Sequence, residues 1–202
     1  MTLIPQVEAF CYEYLSLRWD NGLPLLPQEW IDQIPFGDLI IRYFKNPYFH
    51  TYQFVTYMFL HGGFGHLFGN MFALWMFGRT LEYEIGSKRF LIYYMVCGIG
   101  AAIIQVPLAT LLGEQMILLG ASGAVMGLLL AFGLMHPNNM IYVMPIPFPI
   151  KAKWFVIGYA VLELVLGASG VSTDIAHYAH VGGMLWGLVL LIWWKKSGKI
   201  YF

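Results

Sequence analysis

The chain has 202 residues, of which 59% are hydrophobic and 11% charged, and its formal net charge is zero. Soluble domains run nearer roughly 45–50% apolar and about 25% charged, so the composition excludes an ordinary water-soluble domain and points to a membrane protein. Eleven basic residues against eleven acidic ones leave no cationic surface for nucleic acid, and two cysteines, Cys11 and Cys97, give no disulfide framework.

In chain order, residues 1–53 come first. Within them, residues 1–20 carry acidic groups and too few apolar residues to cross a bilayer, and they lack the continuous apolar run of a secretory signal. Pro24, Pro27, Pro35 and Pro47 break the stretch into short pieces, and Trp19, Trp30, Phe36, Tyr43 and Phe44 suit an amphipathic segment lying in the interface. A span needs about 20 mostly apolar residues. The remainder, 54–202, holds five such runs, at 54–78, 90–112, 116–135, 154–170 and 176–194. Their short links leave no room for a second domain, so the expected architecture is an all-α polytopic bundle: an N-terminal segment over 1–53 and a membrane core over 54–202. There is no internal repeat and no low-complexity tract. Cys97, inside a span, reads as a small buried hydrophobe.

Orientation follows from the cations beside the spans. Lys88, Arg89, Lys151, Lys153, Lys195, Lys196 and Lys199 all fall on one side, which marks the cytoplasm, whereas the links with Glu114 and Asp174 carry no Lys or Arg and face outward. The C-terminus is then cytoplasmic and residues 1–53 lie outside.

Polar residues inside the spans are expensive in lipid and count as candidates for function. With a rise of about 1.5 Å per residue, Ser122 lies about 9 Å and His180 about 6 Å below the outer surface. His61, His66 and Asn70 occupy the outer half to middle of the first span, with His66 and Asn70 four apart on one helix face. Gly123 with Gly127, and Gly183 with Gly187, are small-xxx-small pairs that let two helix backbones approach closely. A serine and a histidine brought together in this way form the minimum nucleophile–base pair, and His66 and Asn70 can donate to a developing oxyanion. Taken singly, each feature has a plainer account. A serine among glycines is a packing residue, a Gly-xxx-Gly pair is a helix contact, and His50 and His136 are interfacial or loop residues. The coincidence of four polar groups from three helices at one depth favours chemistry.

These residues also carry a resemblance to the rhomboid intramembrane serine proteases, of the bacterial type, over nearly all of the chain from about residue 36. "HGGFGHLFGN" (61–70) resembles the family's His-x4-His-x3-Asn pattern, "GASG" (120–123) its Gly-x-Ser-Gly, and "AHVGGMLWG" (179–187) its Ala-His-x2-Gly-x3-Gly. The resemblance implies that Ser122 is the nucleophile and His180 the general base, a dyad without a carboxylate. It implies also that His66, Asn70 and the Ser122 backbone N–H form the oxyanion hole. It further implies transmembrane protein substrates cut near their outer ends, no cofactor and no metal, and a site in the bacterial inner membrane that opens to the outer side. His177, three residues before His180, is the rival base; motif spacing selects His180 and leaves His177 nearer the water.

Three points depart from that pattern, Met126, Glu163 and the first span, and one, Gln105, resembles it. Many relatives have a Tyr one turn after the serine, where this chain has Met126. Gln105 corresponds to a polar residue that retains water near the cavity. Glu163 in the fourth span has no place in the pattern: facing a gate, pairing with a polar partner and being protonated all stay open. The family's usual core has six spans, so the expectation is that the first is missing or truncated here, with "MTLIP" resembling its tail. Other readings are an inactive relative that binds or escorts membrane proteins, and a small channel or transporter with a histidine proton relay. His61 and His66 are five apart, off the i, i+4 spacing of helical zinc motifs.

Overall fold

The computed structural model describes residues 17–18, 50–112, 117–143, 147–169 and 176–201. The expected interfacial segment, apart from Leu17–Arg18, and the outward links with Glu114 and Asp174 lie outside these residues. The elements run β1 (Leu17–Arg18), α1 (Gln53–Thr56), a 3-10 turn (Tyr57–Phe59), α2 (Phe64–Ala73), a wider π turn (Leu74–Gly78) and α3 (Arg79–Ile85). Then follow α4 (Ser87–Leu112), β2 (Ile117–Leu118), α5 (Ser122–Met135), β3 (Met140–Ile141), β4 (Ile150–Lys151), α6 (Ala152–Ala168) and α7 (His177–Lys196). The protein is an all-α bundle trimmed by two antiparallel ladders of two residues per strand. In one, β1 pairs with β2 in the register Leu17 to Leu118; in the other, β3 pairs with β4 as Met140 to Lys151.

The first span does not lie over 54–78. The chain at 53–59 is a short helical turn, and the rod that crosses the bundle runs from Phe64 through the π turn to Ile85, about 33 Å at the helical rise. The glycines at 62 and 63 separate the two pieces, which leaves His61 on the loop ahead of the rod. Gly86 ends the rod: its φ of 81° is a left-handed value that glycine accepts without a Cβ penalty, and its N–H bonds the Glu82 carbonyl at 2.9 Å. Ser87 opens α4 directly afterwards.

The third span departs from expectation in a way that matters for chemistry. It is a helix only from Ser122, 14 residues long, about 21 Å, against the roughly 30 Å of a hydrocarbon core. The missing outer part is extended chain, Ile117–Leu118 and the turn through Gly120 and Ala121. Non-helical backbone survives at membrane depth only where protein covers it. Leu118, Gly120 and Ala121 are buried, and the Gly120 N–H bonds the Tyr57 carbonyl at 2.9 Å.

Helices α4, α5 and α7 form the centre. A Cβ on Gly183 would run into the carbonyl oxygen of Gly123, one on Gly127 would strike the Cys97 sulfur, and one on Gly187 the Tyr93 hydroxyl. Two tyrosines tie the helices further: Tyr57 donates to the Gly98 carbonyl at 2.6 Å and Tyr93 to the Gly127 carbonyl at 2.9 Å. Cys97 is fully buried among them. The outer faces present Leu91, Ile92 and Ile103 on α4, Val161, Leu162 and Val165 on α6, and Leu185, Val189 and Ile192 on α7. Soluble monomers rarely expose apolar patches beyond a few hundred Å², and these faces suit lipid. Among the described residues one helix segment, Ser87–Ala109, is long and apolar enough by itself to cross a membrane. The α2–α3 rod is interrupted by its π turn, α5 and α6 are shorter, and α7 has 20 residues but opens on two histidines.

Candidate active site

Ser122 is the first residue of α5, so it stands on the buried turn rather than partway down a helix. Its N–H belongs to the first turn, whose amide hydrogens have no intrahelical acceptor and whose end carries the positive pole of the helix dipole. No side chain caps this helix start. His180 is in the first turn of α7. The close approach of Gly123 to Gly183 sets the separation of the two helices, and the His180 Nε2 lies 2.8 Å from the Ser122 Oγ. His180 is buried and Ser122 half-buried. An imidazole Nε2 that accepts the serine proton must keep its own proton on Nδ1.

His66 lies across the turn from the serine. Its Nδ1 accepts the Gly62 N–H at 3.3 Å, which leaves Nε2 as the protonated, donating nitrogen. A Cβ built on Gly120 would sit 2.7 Å from both Nε2 and Cε1 of that ring, so the imidazole rests directly on the Gly120 Cα. Gly120 also has a φ of 110°, so two independent reasons require glycine two residues before Ser122. Asn70, buried one turn after His66, donates its side-chain amide to the His66 carbonyl at 2.9 Å. The His61 ring packs edge-on against His66 with centroids 5.2 Å apart. His66 is exposed and His61 half-buried, so the site opens at the end where α2 begins.

The other side of the His180 ring corrects the expected placement of His177 near the water and shows a carboxylate that the resemblance does not imply. Instead His177 is buried, and its Nδ1 lies 2.6 Å from the Oε2 of Glu163, which is itself buried on α6. The same oxygen lies 3.1 Å from the Nδ1 of His180, although the approach is not aligned as a hydrogen bond. The Tyr159 hydroxyl, one turn earlier on α6, reaches the same carboxyl group. Of the open readings for Glu163, pairing with polar partners is the one the geometry selects. A depth argument finds this in the sequence: a carboxylate near the outer end of α6 and two histidines in the first turn of the next span must share a level.

Met126, four residues after Ser122, is partly buried against the core. Gln105 is buried on α4. Among the described residues no group of three or more His, Cys, Asp or Glu side chains could hold a metal ion. His136, at the opposite end of α5, has Nε2 2.8 Å from the Glu84 carboxylate.

Residues 48–196 match a family model described as Rhomboid domain. Similar curated proteins include Rhomboid-like protein 11, chloroplastic, of Arabidopsis thaliana, 29% identical over 161 residues that cover 69% of this chain and 51% of that protein. They include RHOMBOID-like protein 6, mitochondrial, of the same plant, 32% identical over 141 residues, 69% of this chain and 42% of that protein. Rhomboid protein 1, mitochondrial, of Saccharomyces cerevisiae is 33% identical over 133 residues, 65% of this chain and 38% of that protein. The chain thus spans about half or less of the length of these relatives. They come from a plant and a yeast, and the narrower expectations of a bacterial type and a bacterial inner membrane draw no support from them.

Proposed function

Because the chain belongs to the rhomboid family, an integral membrane family, we propose that it is an intramembrane serine protease that hydrolyses peptide bonds in or near the transmembrane segments of other proteins. The observation that carries this reading is the 2.8 Å contact between the Ser122 Oγ and the His180 Nε2, inside a bundle whose outer faces are apolar. In the proposed reaction the Oγ attacks the scissile carbonyl carbon while its proton passes to Nε2. The amide C–N bond then breaks, and the leaving amine takes that proton. Water, deprotonated by the same nitrogen, attacks the acyl-enzyme and releases the acid and Ser122. The oxyanion would be met by the Ser122 N–H at the helix start and by the Nε2–H of His66, with Asn70 fixing the backbone from which His66 projects.

The opening beside His66 and His61 supplies a route for water and for an unwound substrate segment. The distribution of Lys and Arg supports a cytoplasmic C-terminus and a site facing the opposite side. A fluorophosphonate probe applied to the detergent-solubilised protein tests the reading. Wild type is expected to label, and Ser122→Ala and His180→Ala are expected to lose labelling. A folded wild-type protein that does not label would instead favour an inactive member that binds membrane proteins.

A further inference from the structure

A carboxylate inside a membrane helix is expensive unless it is paired and hydrogen-bonded. Glu163 is 3% exposed, toward the outer end of α6 among residues that otherwise face lipid or core. A purely structural pairing would be complete with His177 at 2.6 Å. Yet the oxygen that meets His177 also stands 3.1 Å from the Nδ1 of His180, on the side of the ring opposite Ser122. The four groups form a chain: Ser122 Oγ, His180 Nε2, His180 Nδ1, Glu163 Oε2, with His177 holding the far end.

The geometry points to Glu163 as the positioning residue of the catalytic histidine, so that the site is a Ser–His–Glu relay rather than a two-residue pair. This inference rests on the protease reading above. It assigns Glu163 three tasks. Its Oε2 accepts the Nδ1–H of His180 once a small rotation aligns the two, which fixes the tautomer that leaves Nε2 free for the serine proton. Its negative charge stabilises the imidazolium formed when that proton arrives, and the carboxylate itself stays ionised throughout, as in other serine hydrolases. No bond to Glu163 forms or breaks. His177 donates to the same oxygen and keeps the carboxylate at its depth. The alternative neutral tautomer, with the proton on Nε2, would turn a nitrogen lone pair toward Glu163 and could not take the serine proton.

The test is the inactivation kinetics of the detergent-solubilised protein with a fluorophosphonate probe, separated into kinact and KI. Glu163→Gln keeps the side chain's size and removes its charge. The expected result is a fall in kinact of about 100-fold or more, with KI within about twofold because Glu163 does not touch the probe. Misfolding would lower the fraction of active protein rather than kinact, and a shift in helix packing is separated from loss of the carboxylate's charge by histidine nitrogen NMR, which reads the His180 tautomer directly. Folded Glu163→Gln with kinact within about threefold of wild type would overturn the inference while leaving the protease reading intact. A wild-type protein that does not react would overturn both. Should Glu163→Gln fail to fold, histidine-selective nitrogen NMR of the wild-type protein decides. A neutral His180 ring protonated on Nδ1 supports the relay, and one protonated on Nε2 refutes it.

Discussion

The substitution Gly183→Ala adds one methyl group at the point where α5 and α7 touch. The new Cβ would lie 2.7 Å from the carbonyl carbon of Gly123 and 3.2 Å from its Cα, and nearer still to the carbonyl oxygen. Ordinary contact begins at about 3.5 Å. Backbone stands on both sides, so no side chain can rotate away and the helices must part by roughly 1 Å. Gly123 is the neighbour of Ser122, so the 2.8 Å bond to His180 would open beyond hydrogen-bonding range. A misplacement of about 1 Å at reacting groups can cost roughly 100-fold in rate. The assay is the rate of fluorophosphonate labelling, run beside a thermal unfolding scan. Gly158→Ala is the control, since a Cβ there meets nothing within 4 Å, and it should label as wild type does. A folded Gly183→Ala protein labelled within about threefold of the wild-type rate would refute the claim that this glycine contact sets the serine–histidine distance.

Two further outcomes are expected. His66→Ala removes a side-chain oxyanion donor and should lower kinact by about 10²–10³-fold, with Ser122 still reactive; an unchanged kinact would remove His66 from that role. Gly120→Ala combines a disfavoured φ of 110° with a collision against the His66 ring, and should destabilise by about 1–3 kcal/mol as read by thermal unfolding in detergent. Adding His66→Ala to it should relieve the collision and leave the backbone penalty, so full recovery of stability would contradict the φ argument.

Composition and apolar run length were enough to expect a helical membrane bundle, because both report directly on the solvent the chain is built for. The spacing of small residues around Ser122 and His180 was also legible. Gly123, Gly127, Gly183 and Gly187 all lie where a Cβ would strike a neighbouring helix or its side chains. Run length misled at 54–78 and at 116–135. Hydropathy does not register the break at residues 60–63 that cuts a short helical turn from the rod in the first run, nor does it distinguish an apolar helix from the sheltered extended chain with which the second run begins. Glu163 stayed ambiguous because depth along the consecutive helices α6 and α7 does not by itself tell which faces of the two meet.

The shortness of α5 and the position of Ser122 are one fact seen twice. A helix of 14 residues leaves about 9 Å of a roughly 30 Å core to be filled by something else. Filling it with extended chain puts the helix start, and the free amide hydrogens that go with it, at that depth. Lipid cannot satisfy such groups, so protein must surround them. The Tyr57 carbonyl takes the Gly120 N–H, His66 covers Gly120, and α7 comes in to glycine contact with His180 in its first turn. The enclosure that makes a broken helix tolerable in a membrane is therefore the same arrangement that aims a base, a nucleophile and donors at one point.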